Sequence, residues 1–169
     1  MPVMKTMPAR IPLLTLLFLA LSASLATAAD APKTGYSGLP VPRFVNLKGD
    51  TTNARVGPSL DYPVRIVYQR RGLPVRVVAE TPDNAWRKVV DFEGESLWIH
   101  HSQLTSSGVV MVTTDRALLH ARPAEAGPVR AALERGVLAE AEKCEDGWCQ
   151  LHVGNYRGWV EKSALWGVD

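Results

Sequence analysis

Cysteine is close to absent from this sequence: Cys144 and Cys149 are the only two in 169 residues. Two thiols cannot complete a structural zinc site, and enlisting His152 still leaves a fourth ligand missing. The two-residue strand period also places His152 on the face opposite Cys149. A redox pair of the Cys-x-x-Cys kind sits at a helix N-terminus. Here four residues intervene and no segment carries a long helical period. A glycine-rich phosphate loop is missing as well. Charge of one sign is not in excess either: once Lys5 and Arg10 are set aside, 17 basic side chains face 17 acidic ones. Such a chain has no positive face with which to release counterions, so no nucleic acid is expected as a partner. The apolar run from Leu13 to Leu25 covers 13 residues, well short of the roughly 20 that a bilayer-spanning helix needs.

Lys5 and Arg10 precede that run, and the small residues "ATA" at 26–28 follow it. The pattern is that of a secretory signal peptide over residues 1–28. The expected product is exported, periplasmic or secreted, with no stable membrane insertion after cleavage. No cysteine follows the run to carry a lipid anchor. A local basic group, Arg65, Arg70, Arg71 and Arg76, is flanked by Asp61 and Glu80. It reads as solvated strand surface rather than as an anion site.

What the chain does have is an internal repeat. "NARVGP" at 53–58 is paired with "HARPAE" at 120–125, and "PVRIVYQRRGLPVRVVAE" at 63–80 with "PVRAALERGVLAEAE" at 128–142. Gly72 matches Gly136 after a short length difference. Trp86 matches Trp148, and "WIHHSQL" at 98–104 matches "WVEKSAL" at 159–165. The units run 44–104 and 110–165, joined by "TSSGV", and residues 29–43 form an extended N-terminal arm. Runs such as "PVRVVAE", "WRKVVDF" and "MVTTDRALLHA" between Gly, Pro, Asn and Asp predict short strands. In the second unit Cys149, Leu151 and Val153 alternate with Trp148, Gln150 and His152, one set facing in and the other out. A small bent barrel closes such a unit. The expected fold is all-β, two tandem small barrels, each of a size that is marginal alone and gains from docking to its neighbour.

Asn-x-Arg-x-Gly-Pro, a central Gly, a Trp opening a strand and a closing Trp-aliphatic-x-x-Ser-x-Leu, twice over, resemble the bacterial Src-homology-3-like domain. The likeness covers residues 37–167. It is closest to exported bacterial proteins with "SGLPVPR" before the first unit and "CxxxWCxxxxxxxxGWVExxxLWG" ending the second. Two positions depart from the pattern: Leu97 stands where Gly usually precedes Trp98, and Ala54 replaces a bulkier apolar residue.

The first unit has Pro82 and Arg87 aligned with Cys144 and Cys149, so the barrel itself does not require a thiol at either place. Asp146-Gly147 lies between the cysteines and is a strong two-strand turn signal. It puts both thiols at the foot of one hairpin, within reach of a bridge, and export supplies the oxidising setting. A disulfide is therefore expected, with no metal.

Catalytic candidates are few. His100 and His101 could offer a general base, but solvated histidines at a strand end are the simpler reading. Ser96 and Ser102 lie in turn-like contexts without a nucleophile elbow. Glu93 and Glu95 flank Gly94 at a hairpin tip. The resemblance implies no enzyme and no cofactor: in cell-wall hydrolases these barrels accompany a separate peptidase domain, for which this chain leaves no room. Binding is then expected to rest on aromatic handles. The candidates are Tyr62, Trp86 and Trp98 in the first unit and Trp148 and Tyr156 in the second. Trp98 and Trp159 are also expected to plug their barrels. Asn53 and Arg55 should satisfy loop backbone, Gly57 and Pro58 should set a turn, and Gly72, Gly136 and Trp159 belong to the repeated framework. The leading expectation is a cell-envelope module that binds peptidoglycan through its peptide stems. The other is a periplasmic adaptor in which "SGLPVPR" adds a strand to a partner or packs on its own barrels.

Overall fold

A computed structural model describes residues 33–169, so the signal segment 1–28 and the first residues of the arm lie outside the described residues. Nearly every element is a strand. β1 (Lys33–Thr34) and β2 (Pro40–Val41) make a small antiparallel ribbon in the arm. The first barrel follows as β3 (Arg43–Leu47), β4 (Thr52–Arg55), β5 (Val64–Tyr68), β6 (Pro74–Glu80), β7 (Trp86–Val90), β8 (Ser96–His100) and β9 (Leu104–Thr105). The second repeats it as β10 (Val109–Val112), β11 (Arg116–His120), β12 (Val129–Glu134), β13 (Leu138–Glu145), β14 (Trp148–Val153), β15 (Tyr156–Glu161) and β16 (Leu165–Trp166). Strand order is β5-β4-β8-β7-β6-β3-β9 in the first sheet and β12-β11-β15-β14-β13-β10-β16 in the second, the same order in two sheets of seven strands. The tandem all-β repeat expected from the sequence is what the chain forms.

Two-residue alternation builds each core. Val75, Val77, Val89 and Ile99 are fully buried in the first barrel, as are Leu119, Cys149 and Leu151 in the second. Hydrogen bonds fix the true equivalences between the repeats. Arg55 pairs across from Trp98, and His120 from Trp159. Val56 N–H donates to Pro63 O, and Ala121 N–H to Pro128 O. Arg55 is therefore the counterpart of His120 and Pro58 of Pro123, so "NARVGP" is matched by "LLHARP" and not by "HARPAE". Gly72 and Gly136 do correspond, their N–H groups donating to Leu47 O and Val112 O at 2.8 and 2.7 Å.

A second correction comes from the register of the bulged hairpins. Pairing in β6–β7 slips between Val77 and Ala79, and in β13–β14 between Ala141 and Lys143. The extra residue reverses the alternation, turning Glu80 to face Arg87 and Cys144 to face Cys149. The counterpart of Cys144 is thus Glu80, not Pro82. Cys144 and Cys149 form the expected disulfide, with Cα atoms 4.0 Å apart. Asp146 and Gly147 make the turn, both at positive φ (48° and 80°), as a tight two-residue hairpin requires.

The barrels dock through alternate positions of their first strands. Val45 and Leu47 point into the first core, which leaves Asn46 facing the second barrel. Asn46 Nδ2 donates to Gly72 O and Val109 O at 3.0 and 2.7 Å, while its Oδ1 accepts from Ser107 Oγ at 2.9 Å. Its equivalent, Met111, faces back and is buried in the core of the first barrel. Trp166 Nε1 donates to Pro74 O, and its ring meets Phe44 edge-on at 4.9 Å.

Candidate binding site

The turn after β7 is organised by one buried carboxylate. Asp91 Oδ1 accepts the N–H groups of Glu93 and Glu95 at 3.0 and 2.9 Å, and Oδ2 accepts the Tyr68 hydroxyl at 2.7 Å. Burial, then the bond to Asp91, pushes the Tyr68 hydroxyl well above the ordinary phenol range. The Tyr68 ring is thereby fixed as a wall, and the turn projects Phe92, an exposed apolar side chain, beside it. Between this corner and the second barrel lies a cleft of about 550 Å³. Tyr68, Arg70, Leu73 and Phe92 line it from the first barrel, and Met111 and Arg135 from the second. Its hydroxyls are committed: Tyr68 to Asp91, and Thr113 Oγ1 to Ala164 O at 3.1 Å. Among the described residues no group of three His, Cys, Asp or Glu side chains is placed to hold a metal ion.

None of the five aromatic candidates lines this cleft. Trp86 and Trp98 share the outer face of β7–β8, where Trp86 stands opposite His100 and Lys88 opposite Trp98. Trp98 therefore does not plug the barrel. The neighbours that do are Leu97 and Ile99, because alternation turns Trp98 outward, half-buried. Trp159 is buried, but on the outer face beside Gln150 and His120, where the Lys143 ammonium covers its ring at 4.9 Å. Trp148 meets His120 edge-on at 5.5 Å, and Tyr156 is exposed at the β14–β15 turn. Tyr62 is exposed in the loop after β4 and packs its ring on Gly57, leaving no space there for a Cβ. Arg55 does satisfy that loop, donating to Tyr62 O at 2.6 Å. Asn53 does not: it lies exposed on β4 opposite Val67. The buried asparagine that satisfies backbone is Asn46. His100 caps the short 3-10 turn His101–Gln103, its Nδ1 2.8 Å from Ser102 Oγ, which is a local capping contact.

The arm closes on the first barrel. Ser37 N–H and Oγ donate to the two carboxylate oxygens of Glu80 at 2.7 and 2.8 Å. Arg43 and Arg87 reach Glu80 Oε1 at 2.7 and 3.1 Å. The Glu80 side chain is fully buried. Burial is the largest influence on this carboxyl and raises its pKa, yet Ser37, Arg43 and Arg87 together hold it below its ordinary value. Burial also lowers Arg87, against the pull of Glu80, but a guanidinium stays charged throughout the accessible pH range. The carboxylate is therefore the group whose titration matters. Thus "SGLPVPR" packs on its own barrel, and Glu80 is spent on the arm rather than on balancing Arg65, Arg70, Arg71 and Arg76.

Sequence reasoning overlooked Tyr68, Phe92, Met111 and Arg135 as cleft residues. The one available signal was the length difference between the repeats near Gly72. No curated protein matches the sequence. Among solved structures, NlpC2 from Trichomonas vaginalis is 15% identical with a TM-score of 0.33, the match covering 74% of this chain and 48% of that one. NlpC1 from the same organism is 15% identical with a TM-score of 0.33, covering 89% and 50%. The chain spans about half the length of these two proteins, and likeness at that level carries no argument about what it does. The bacterial SH3 domain model matches residues 48–106 and again 113–167, most of both barrels. With the duplicated strand order and that double match, the chain belongs to the bacterial SH3 domain family.

Proposed function

We propose that the protein is an exported, non-catalytic cell-envelope module that binds peptidoglycan through its short peptide stems, in the cleft between the two barrels. The observation that carries this reading is the cleft itself. It has an apolar floor of Leu73 and Met111, aromatic walls of Tyr68 and Phe92, and charged groups at its rim, the composition of a site for a small, partly polar chain. Its two hydroxyls are held by other groups, and no histidine lines it, which favours binding over catalysis. Export follows from the basic residues, apolar run and small residues of the N-terminal segment. The adaptor alternative is not favoured, because the arm is already tied to its own barrel where Ser37 donates twice to Glu80 of the same chain.

The test is co-sedimentation of the oxidised protein with isolated peptidoglycan sacculi at physiological salt. Phe92→Ala should weaken saturable binding about tenfold, since truncating an aromatic anchor costs on the order of 1–2 kcal/mol. Tyr62→Ala, outside the cleft, should leave it unchanged. Failure of the folded wild-type protein to sediment would remove this function. Loss on Tyr62→Ala but not on Phe92→Ala would move the site to the first loop.

A further inference from the structure

We infer that Arg70 reads a carboxylate in the inter-barrel cleft, so that the ligand is a short peptide with a free carboxylate; this rests on the cleft being the envelope-binding site. The argument begins with a residue that one repeat has and the other lacks. Tyr68 and Leu133 are equivalent, pairing with Thr52 and Ala117, and Gly72 is equivalent to Gly136. Three residues separate the first pair and two the second. Arg71 and Arg135 correspond, because each pairs with the equivalent aspartate: Arg71 with Asp50 at 3.3 Å, Arg135 with Asp115 at 3.1 Å. The additional residue is therefore Arg70.

Arg70 stands outside that repeated pair and makes no ion pair among the described residues. Its guanidinium reaches across to the second barrel, with Nη1 3.7 Å from the point where a Cβ on Gly136 would stand. That places an uncommitted, planar five-donor group at the cleft, where it can take a carboxylate through two parallel hydrogen bonds. The other charges nearby are engaged or opposed. Asp91 is buried under three donors, Arg135 is held by Asp115, and Glu93 carries the wrong sign to receive an anion. Beside Arg70, the apolar floor suits small side chains such as alanine methyls.

The probe is acetyl-Lys-D-Ala-D-Ala, as the free acid and as its C-terminal amide, titrated calorimetrically into the oxidised full-length protein. The free acid should bind about tenfold more tightly than the amide, the scale of a charge-assisted hydrogen bond. Arg70→Gln should erase the preference, and Arg135→Gln should keep it. Equal binding of the two forms, binding of neither, or a preference that survives Arg70→Gln would each overturn the inference. If the protein still sediments with sacculi in those cases, the envelope reading stands and only the carboxylate reading falls. If it does not sediment, the function itself falls. Unchanged thermal unfolding of Arg70→Gln, expected for an exposed side chain without partners, excludes misfolding as the cause of a lost preference.

Discussion

Across the β6–β7 hairpin the first barrel sets Glu80 against Arg87; across β13–β14, at the same register, the second sets Cys144 against Cys149. Both pairs close the same bulged hairpin, one by charge and one by a covalent bond. Their surroundings differ accordingly. The arm covers Glu80 and supplies Ser37 to it, and Arg43 joins from the start of β3. Nothing comparable covers Cys144, which is exposed. A covalent link needs no second layer to exclude water, whereas an ion pair in this position is useful only when its remaining lone pairs are hydrogen-bonded. The arm is thus part of the first barrel's solution to a problem the second solves alone.

The sharpest way to break this comparison is to remove Glu80. Glu80→Ala leaves Arg43 and Arg87 close together, with Arg87 buried and without its counter-charge. The expected loss is about 3–5 kcal/mol of stability in chemical denaturation, the usual cost of deleting one partner of a buried pair. The arm should become susceptible to proteolysis at the same time. A loss below about 1 kcal/mol would mean that water already reaches the network. The pH dependence has a definite sign. A carboxylate held below its ordinary value contributes fully above the unfolded pKa of about 4.3. That contribution fades as the pH falls through the lower folded value. Acid should therefore loosen the first barrel and its arm, and Glu80→Gln should flatten that dependence.

A second difference lies where β4 meets β8. The first barrel has Ala54 and Leu97 there; the second has Leu119 and Gly158. Both Ala54 and Leu119 are completely buried. A Cβ on Gly158 would lie 2.8 Å from Leu119 Cγ and 2.6 Å from His120 O. The two departures from the family pattern are thus one exchange of volume: a small residue on β4 accommodates a large one on β8, and the reverse holds in the second barrel. Gly158→Ala should cost about 3 kcal/mol, at the upper end for overpacking because one obstacle is backbone. The same change in a Leu119→Ala background should cost about 1 kcal/mol less, since only the side-chain obstacle is relieved. Strict additivity in a double-mutant cycle would separate the two positions.

The limits of reading this sequence have the same physical origin. The alternation that places Cys149 and Leu151 inward is visible as a two-residue period, and so are the Asp146-Gly147 turn and the disulfide it permits. The bulges are not visible, because one extra residue leaves no compositional mark yet reverses every side chain after it. Pro82 falls level with Cys144 in a gapless comparison because the β6–β7 turn is two residues longer than the β13–β14 turn: Glu80 and Arg87 are seven positions apart, Cys144 and Cys149 five. A separate one-residue difference, in the connection between Tyr68 and Gly72, is what isolates Arg70. Aromatic residues were legible as residues but not as a site. Trp86, Trp98 and Trp148 are arranged along outer strand faces, whereas the cleft draws on Tyr68, Phe92 and Met111 from separate elements that only docking brings together. Asn46 and Met111 occupy the same repeat position with unlike chemistry, so no pattern of conserved type announces that interface.

The smallest effect is expected from the covalent closure itself. Loop entropy for the short segment between Cys144 and Cys149 amounts to about 2 kcal/mol, less than the loss expected at Glu80. Cys144→Ser with Cys149→Ser, or dithiothreitol on the native chain, should lower the stability of the second barrel by that amount. Hydrogen exchange followed barrel by barrel reads the contrast directly. Reductant should raise exchange in β13–β14 and leave β6–β7 protected, because the latter contains no sulfur. Acid should do the opposite, because the pair in the second hairpin does not titrate. If both treatments loosened both barrels to the same degree, docking through Asn46, Met111 and Trp166 would be strong enough to make the barrels one cooperative unit. The two closures would then stabilise a common structure rather than their own halves.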